Sequence, residues 1–201
     1  FHGRRERIEI YRREADDEFS IPVNFIRNSR YFRGRYGKPY IISEKLPFYD
    51  DILRFSFFSE ASVQLIKLKE PEIVHINDWG LGYLFGLMVM ENMAQRRVLT
   101  VHNIGYQGNI GKFTIRGWGI EKILKDERTG KYFEDPRREW DSVNALRLGM
   151  ELADKTNTVS PHYCKEITRP EDRESYFEGG KGLDRVAKRL YDAGDLIGIL
   201  N

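Results

Sequence analysis

The sequence contains almost no cysteine, since Cys164 is the single thiol among 201 residues. One cysteine cannot form a disulfide within the chain, and such usage is typical of a reducing compartment, so we expect a cytoplasmic protein. The chain starts without a positively charged segment followed by an apolar core, which argues against a secretory signal. The formal net charge is only +2, so no overall field favours nucleic acid as a partner.

Long apolar runs are lacking as well. The longest candidate, Leu81 to Met90, is about half of the ~20 residues that a helix needs to cross a bilayer, and Glu91 follows it. We therefore predict a buried helix at this position and no membrane partner.

Motifs for several common chemistries are also missing. The sequence has no P-loop, no HExxH zinc motif and no GxSxG nucleophile elbow. His75 and His102 have no cysteine or histidine cluster beside them, and no Asp-x-Asp pair could hold a divalent cation against a nucleotide diphosphate. The sequence thus predicts no metal and no cofactor.

The stretch INDWGLGYLFG places Gly80, Gly82 and Gly86 after a predicted strand and at the start of a predicted helix. A dinucleotide fingerprint requires G-x-G-x-x-G and an acidic residue at the end of the next strand. Here the spacing is one residue too long, the next strand ends in His102–Asn103, and Asp78 would repel a pyrophosphate. A nicotinamide-dependent oxidoreductase stays the third alternative.

Helices and strands alternate along most of the chain. Hydrophobic spacing and turn residues predict two strands at 7–11 and 21–26, helices at 50–68, 81–93, 140–152, 161–167 and 182–191, and strands at 72–77, 97–103, 155–160 and 196–200. The segment 111–138 is predicted to form a loop with short helices. From residue 50 onward, this order predicts an α/β fold with a mostly parallel, Rossmann-like sheet and helices on both faces. The apolar runs VLTV and LIGIL are consistent with strands that are buried on both sides.

Polar residues follow three of these strands, which in a parallel sheet end at one edge, where ligands bind. They are Asp78, His102, Asn103 and Ser160. Such residues form directional hydrogen bonds with hydroxyl groups, and aromatic rings offer flat apolar faces to sugars. The aromatic residues predicted in or beside the loops of this edge are Tyr40, Trp79, Tyr106, Trp118 and Tyr163.

Four stretches carry a family resemblance: PEIVHINDWGLGYL, VLTVHNIGYQG, ADKTNTVSPHYCKEI and GLDRV…DLIGILN. In order and spacing they resemble the N-terminal half of bacterial glycogen synthases and plant starch synthases, over residues 23–201. The resemblance implies the two-domain GT-B arrangement, with residues 1–201 as a single N-terminal, acceptor-side domain truncated at both ends. It also implies retaining, metal-free transfer of glucose from ADP-glucose or UDP-glucose to the non-reducing end of an α-1,4-glucan.

The resemblance also assigns roles to individual residues. It implies that His102 contacts the donor glucose and that Asp78 shapes the sugar pocket, which makes these two the catalytic candidates. The residues that it implies for substrate binding are Asn103, Tyr106, Gln107, Tyr40 and Trp79.

The sequence departs from the family pattern in two motifs. The usual His-x-His-Asp-Trp-His has Asn77 and Gly80 in place of two histidines, and the usual Lys-Gly-Gly reads Arg147-Leu148-Gly149. The family's Lys-x-Gly-Gly-Leu donor loop and its nucleotide-binding C-terminal domain are not in this sequence. We therefore expect the chain to be inactive alone. The alternative is a non-catalytic glucan-binding or regulatory domain.

Overall fold

The computed structural model describes residues 1, 3–15, 20–32, 49–137 and 141–200. An antiparallel hairpin and a helix come first, followed by the alternating part of the chain. The strands are β1 (Glu9–Arg13), β2 (Val23–Arg27), β3 (Ile73–Asn77), β4 (Arg96–Val101), β5 (Ile110–Gly111), β6 (Ser142–Val143), β7 (Lys155–Thr158) and β8 (Leu196–Gly198). The helices are α1 (Tyr49–Lys69), α2 (Gly82–Met90), α3 (Lys122–Lys125), α4 (Gly130–Phe133), α5 (Ala145–Leu152), α6 (Pro161–Glu166) and α7 (Asp184–Asp192).

The central sheet has the strand order β3-β4-β7-β8, and each neighbouring pair is parallel. Strands that follow one another along the chain therefore lie side by side, with a helix in each connection. This arrangement confirms the predicted α/β class with a mostly parallel sheet. Because the strands run in the same direction, the residues after β3, β4 and β7 all emerge at one edge.

One face of this sheet packs against a layer of helices in which α1 contacts α2, α2 contacts α5, and α5 contacts α7. Ile76 and Leu99 point into this layer, and both are almost fully buried. Gly149 of α5 lies directly over them, since a Cβ at this glycine would be 3.4 Å from Leu99 Cδ2 and 4.0 Å from Ile76 Cδ1. The apolar core of the domain lies between this face and the helices.

The opposite face of the sheet carries polar residues that hydrogen-bond across three strands. His75 Nε2 is 2.7 Å from Thr100 Oγ1, and Thr100 Oγ1 donates to Asn157 Oδ1 at 2.9 Å. His75 is exposed, and Ile197 in the edge strand β8 is 49% exposed. The expectation that the run LIGIL is buried on both sides is thus wrong for β8, because this strand is an edge of the described sheet.

Two predicted helix boundaries need correction. The helix expected at 140–152 begins only at Ala145, because Asn144 caps it by accepting a hydrogen bond from Arg147 N. The two residues before that cap form β6 instead, paired with β5. The helix expected at 81–93 ends at Met90, and Asn92 then adopts a left-handed φ of 54°.

The long helix α1 agrees with its prediction to within one residue at each end. Its last turn carries Lys67 and Lys69, whose charges are favourable near a helix C-terminus. Glu70 then leaves the helix with a φ of 46°, while its N–H still donates to Ile66 O. In the described residues, none of these helices combines the length and apolar character needed to cross a membrane.

Helices α2 and α5 approach so closely that only glycine fits at position 82. A Cβ at Gly82 would lie 2.0 Å from the backbone oxygen of Ala145. We expect Gly82→Ala to lower the free energy of unfolding by about 2 kcal/mol, because the two helix backbones must separate. Urea denaturation followed by circular dichroism measures this loss.

Gly111→Ala is the matched control. A Cβ at Gly111 meets its nearest neighbour, Thr114 Oγ1, at an ordinary 3.7 Å. An equal loss of stability in both variants would contradict the interpretation of Gly82 as a helix contact point.

Candidate functional site

The site is built where β3 and β4 end next to each other. Asn77 pairs with Thr100 in the parallel register, so the residues that follow each strand become neighbours. Asp78 Oδ1 accepts hydrogen bonds from the backbone N–H groups of His102 at 2.7 Å and Asn103 at 3.4 Å. The His102 ring contacts Asn77, the residue before Asp78, with Nε2 2.9 Å from Asn77 Oδ1. Asn77, the last residue of β3, therefore contacts the ring of His102, and Asp78, the next residue, holds its backbone.

Asp78 adopts a backbone conformation that is unusual for a residue with a side chain. Its φ is 54° and its ψ is −168°, a combination that glycine adopts readily and other residues rarely. Such a conformation costs about 1–3 kcal/mol and persists where surrounding contacts fix it. Here Asp78 N donates to Thr100 O at 2.8 Å while the carboxylate holds the next strand. The strain coincides with the predicted active-site aspartate.

Trp79 is clamped between α1 and the loop that follows β4. Its ring meets Phe55 edge to face, with centroids 5.1 Å apart. On the other side lies Gly108, where a Cβ would be only 2.4 Å from Trp79 Cε3 and where φ is +65°. Glycine is thus required at position 108 both for the turn and for the tryptophan.

A shallow groove of about 200 Å³ runs between Trp79 and the loop after β4. Ile52 forms part of its floor, and the remaining lining comes from residues Gly105, Tyr106, Gln107, Gly108 and Asn109. Tyr106 is 57% exposed. The groove thus combines two aromatic side chains with backbone polar groups, a composition suited to a ligand with apolar faces and hydroxyl groups.

Gln107 lies beneath this groove and is almost fully buried. Its Nε2 donates to Ile104 O at 2.9 Å and to Lys181 O at 3.2 Å, while its Oε1 accepts from Asn144 Nδ2 at 2.8 Å. The amide group is thus occupied by protein partners. Gln107 connects the loop after β4 to the cap of α5 and to the glycine-rich loop before α7, so the structure makes it a brace.

Tyr163 and Glu178 complete this edge of the sheet. Tyr163 OH accepts a hydrogen bond from Ile104 N at 2.8 Å. Burial raises the pKa of Tyr163, and the nearby negative charge of Glu178 adds to this rise. Glu178 Oε1 lies against Gly105, since it would be 2.8 Å from a Cβ there. Sequence reasoning missed Glu178, because no local pattern brings the loop before α7 next to the loop after β4.

Asp135 anchors the far end of the loop. Its carboxylate accepts from Asn109 Nδ2 at 2.6 Å, from Ser142 Oγ at 3.2 Å and from Arg137 Nη2 at 2.9 Å. Burial opposes ionisation of this carboxyl, but the guanidinium and backbone N–H of Arg137 outweigh it, so the pKa of Asp135 is lowered.

The structure brings together most of the residues that the sequence predicts for the site. Asp78, Trp79, His102, Asn103 and Tyr106 lie at the same edge, whereas Tyr40 is outside the described residues. Asn103 uses its Oδ1 to accept from Gly105 N at 2.7 Å and is exposed.

Other predicted residues have structural roles. Trp118, expected in an edge loop, is buried in the apolar core, and Ser160 caps α6 by accepting from Tyr163 N. The glycines that resemble a dinucleotide fingerprint serve packing: Gly80 lies against the Phe55 ring and Gly86 against Leu148. Among the described residues, no group of histidine, cysteine and carboxylate side chains could hold a metal ion.

Comparison with known proteins identifies the family. The protein-family model that describes the starch synthase catalytic domain matches residues 2–189 of this chain. The chain belongs to this family. Among its relatives, the glycogen synthase of Hydrogenovibrio crunogenus is 31% identical over 204 residues, which cover 99% of this chain and 38% of that protein. The glycogen synthase of Clostridioides difficile is 33% identical over 191 residues, which cover 90% of this chain and 35% of that protein.

A solved structure confirms the fold of this starch synthase family member. The catalytic domain of starch synthase IV from Arabidopsis thaliana, bound to ADP and acarbose, superposes with a TM-score of 0.69 at 24% identity. The match covers 97% of this chain and 40% of that chain. The chain therefore spans little more than a third of its relatives, and it has the α/β fold of a glycosyltransferase catalytic domain.

The burial of Gln107 predicts a stability effect. Gln107→Leu keeps a similar volume but leaves Asn144 Nδ2 and the carbonyls of Ile104 and Lys181 without their partner. We expect a loss of about 3 kcal/mol in the free energy of unfolding, because buried polar groups that lose a partner are costly. Urea denaturation checks this value.

Asn103→Ala provides the comparison within the same loop. This exposed amide makes a short-range bond to Gly105 N, so its removal should cost less than about 1 kcal/mol. A Gln107→Leu variant as stable as Asn103→Ala would show that the buried amide is not a brace.

The lowered pKa of Asp135 predicts how stability depends on pH. The folded state favours the carboxylate, so its contribution is present above the ordinary aspartate pKa of about 4 and is lost as the pH falls further. We expect Asp135→Asn to be less stable than the unmodified chain at neutral pH, with the difference shrinking as the pH approaches about 3. The midpoints of urea denaturation, measured for both proteins across this pH range, test the prediction. A difference that stays constant with pH would contradict the assignment.

Proposed function

We propose that this chain is the N-terminal, acceptor-side part of a glycogen or starch synthase. The complete enzyme would transfer glucose from ADP-glucose or UDP-glucose to the non-reducing end of an α-1,4-glucan, with retention and without a metal. The observation that carries the proposal is the convergence of His102, Asp78 and the Trp79–Tyr106 groove at one edge of a parallel sheet, in a chain that belongs to the starch synthase family.

Each residue at this edge has a chemical task in the proposed reaction. Trp79 and Tyr106 present aromatic faces to glucose rings of the acceptor, and the exposed amide of Asn103 offers hydrogen bonds to hydroxyl groups. His102 contacts the transferred glucose and orients it. Asp78 acts through His102, because its Oδ1 holds the backbone of that residue in place.

Among the described residues, this edge is poorly equipped for one task, the stabilisation of the leaving nucleotide diphosphate. Among the charged side chains beside the loop, Asp78 and Glu178 are anionic, and the Lys181 ammonium is 3.4 Å from Glu178. Such an environment disfavours a diphosphate, which needs unpaired cations or free backbone N–H groups. We therefore propose that the phosphates bind to another part of the complete enzyme.

The alternative function is a non-catalytic glucan-binding or regulatory domain. The anionic environment of the edge favours it, since glucan binding alone needs no cation. The reading frame on both sides of these 201 residues distinguishes the two functions. A second Rossmann-like half with cationic residues for the phosphates would support the enzyme, and a stop codon directly after residue 201 would support the binding domain.

Isothermal titration tests the ligand preference of the chain. We expect maltoheptaose to bind with a dissociation constant on the order of 1 mM, corresponding to about −4 kcal/mol. ADP-glucose should bind more weakly or show no heat. Tight binding of ADP-glucose to this chain would overturn the proposal that the phosphates bind to another part of the complete enzyme.

The aromatic groove supplies the variants for the same titration. Trp79→Ala and Tyr106→Ala should each weaken maltoheptaose binding several-fold, because each removes one stacking face. Phe25→Ala is the matched control, since Phe25 is 55% exposed but lies in the β1–β2 hairpin. Equal weakening by all three variants would argue against the groove as the glucan site.

A further inference from the structure

Asn77 and His102 form a side-chain contact that the proposed roles do not use. Asn77 is the last residue of β3, and His102 is the first residue after β4. The parallel register places Asn77 opposite Thr100, which brings the amide within 2.9 Å of His102 Nε2. The partners lie at the exposed edge of the sheet, beside the candidate sugar site.

The chemistry of the amide oxygen determines where the imidazole carries its proton. An amide oxygen only accepts hydrogen bonds, so a bond between Asn77 Oδ1 and Nε2 requires a proton on Nε2. In the neutral ring, Nδ1 then keeps its lone pair and acts as an acceptor. Nδ1 has no hydrogen-bond partner within the described part of the chain.

The backbone of His102 is held in place separately from its ring. Asp78 Oδ1 binds His102 N at 2.7 Å, and Asp78 itself is bound to the carbonyl of Thr100 at 2.8 Å. Asp78, directly after β3, thus restricts the position of His102, and Asn77 restricts the orientation of its ring.

We propose that Asn77 is a positioning residue that holds neutral His102 in the Nε2–H tautomer and leaves Nδ1 as the acceptor facing the ligand. A hydroxyl group of the ligand must then donate to His102, whereas the ring cannot donate from Nδ1. This consequence for the sugar rests on the proposed function, but the tautomer is a property of the chain without ligand.

Nitrogen-15 spectroscopy of the imidazole rings tests the tautomer. In the 201-residue chain at about pH 8.5, roughly two units above the ordinary histidine pKa, long-range proton–nitrogen correlations distinguish protonated from unprotonated ring nitrogens. We expect a protonated Nε2 and an unprotonated Nδ1 for His102, whose signals are assigned by their loss in His102→Gln. In Asn77→Leu both nitrogens should shift toward intermediate values, because the tautomers then exchange.

The chain offers two controls for this experiment. Asn77→Asp retains an oxygen acceptor and should preserve the Nε2–H tautomer. His75, on the same strand, is an internal reference: Thr100 Oγ1 donates to Asn157 and so accepts from His75 Nε2, which should stay protonated in every variant. Unchanged His75 signals show that the sheet is intact when the His102 signals shift.

Two results would overturn the proposal. One is a protonated Nδ1 in the unmodified chain, and the other is a His102 spectrum that Asn77→Leu leaves unchanged while His75 stays in place. Failure of maltoheptaose to bind would instead count against the proposed function, because the tautomer measurement uses no ligand.

Discussion

The register between β3 and β4 is the constraint on which the candidate site depends. With Asn77 opposite Thr100, the carboxylate of Asp78 reaches the backbone of His102 and the amide of Asn77 reaches its ring. A shift by one residue would turn the side chains of β3 to the other face and move both contacts away. The unusual backbone of Asp78 is maintained because its N–H and its carboxylate bind β4 and the loop after it.

Several buried groups hold the loop after β4 from below. Gln107 connects it to α5 and to the loop before α7, and Gly108 allows the ring of Trp79 to lie directly against it. Asp135 holds the next residue, Asn109, at the end of the turn. A binding surface that is already ordered before the ligand arrives loses less entropy on binding, which favours recognition of weakly bound, hydroxyl-rich ligands.

The alternation of helices and strands allowed a mostly parallel sheet to be predicted, and with it the grouping of Asp78, His102 and Asn103 at the edge where its strands end. The sequence could not distinguish Gln107, a buried brace, from Asn103, an exposed amide four positions earlier, because burial depends on the distant Asn144 and Lys181. The strain at Asp78 was also invisible, since a left-handed conformation is normally read from glycine. The α5 boundary was missed because helical periodicity continued through the two residues that pair with β5.

For the proposed enzyme, the electrostatics of the described part of this edge favour a site shared with a second domain. Hydroxyl recognition needs neutral acceptors and donors with aromatic faces, which Asn103, Trp79 and Tyr106 supply. A diphosphate needs concentrated positive charge, whereas here Glu178 already neutralises Lys181 and Asp78 is anionic. If the cations that bind the diphosphate lie on a separate domain of the proposed enzyme, they do not pair with Asp78 before the donor binds. Under the proposed function, the carboxylate that positions His102 and the cations that would stabilise a leaving phosphate are therefore better kept apart until the substrate lies between them.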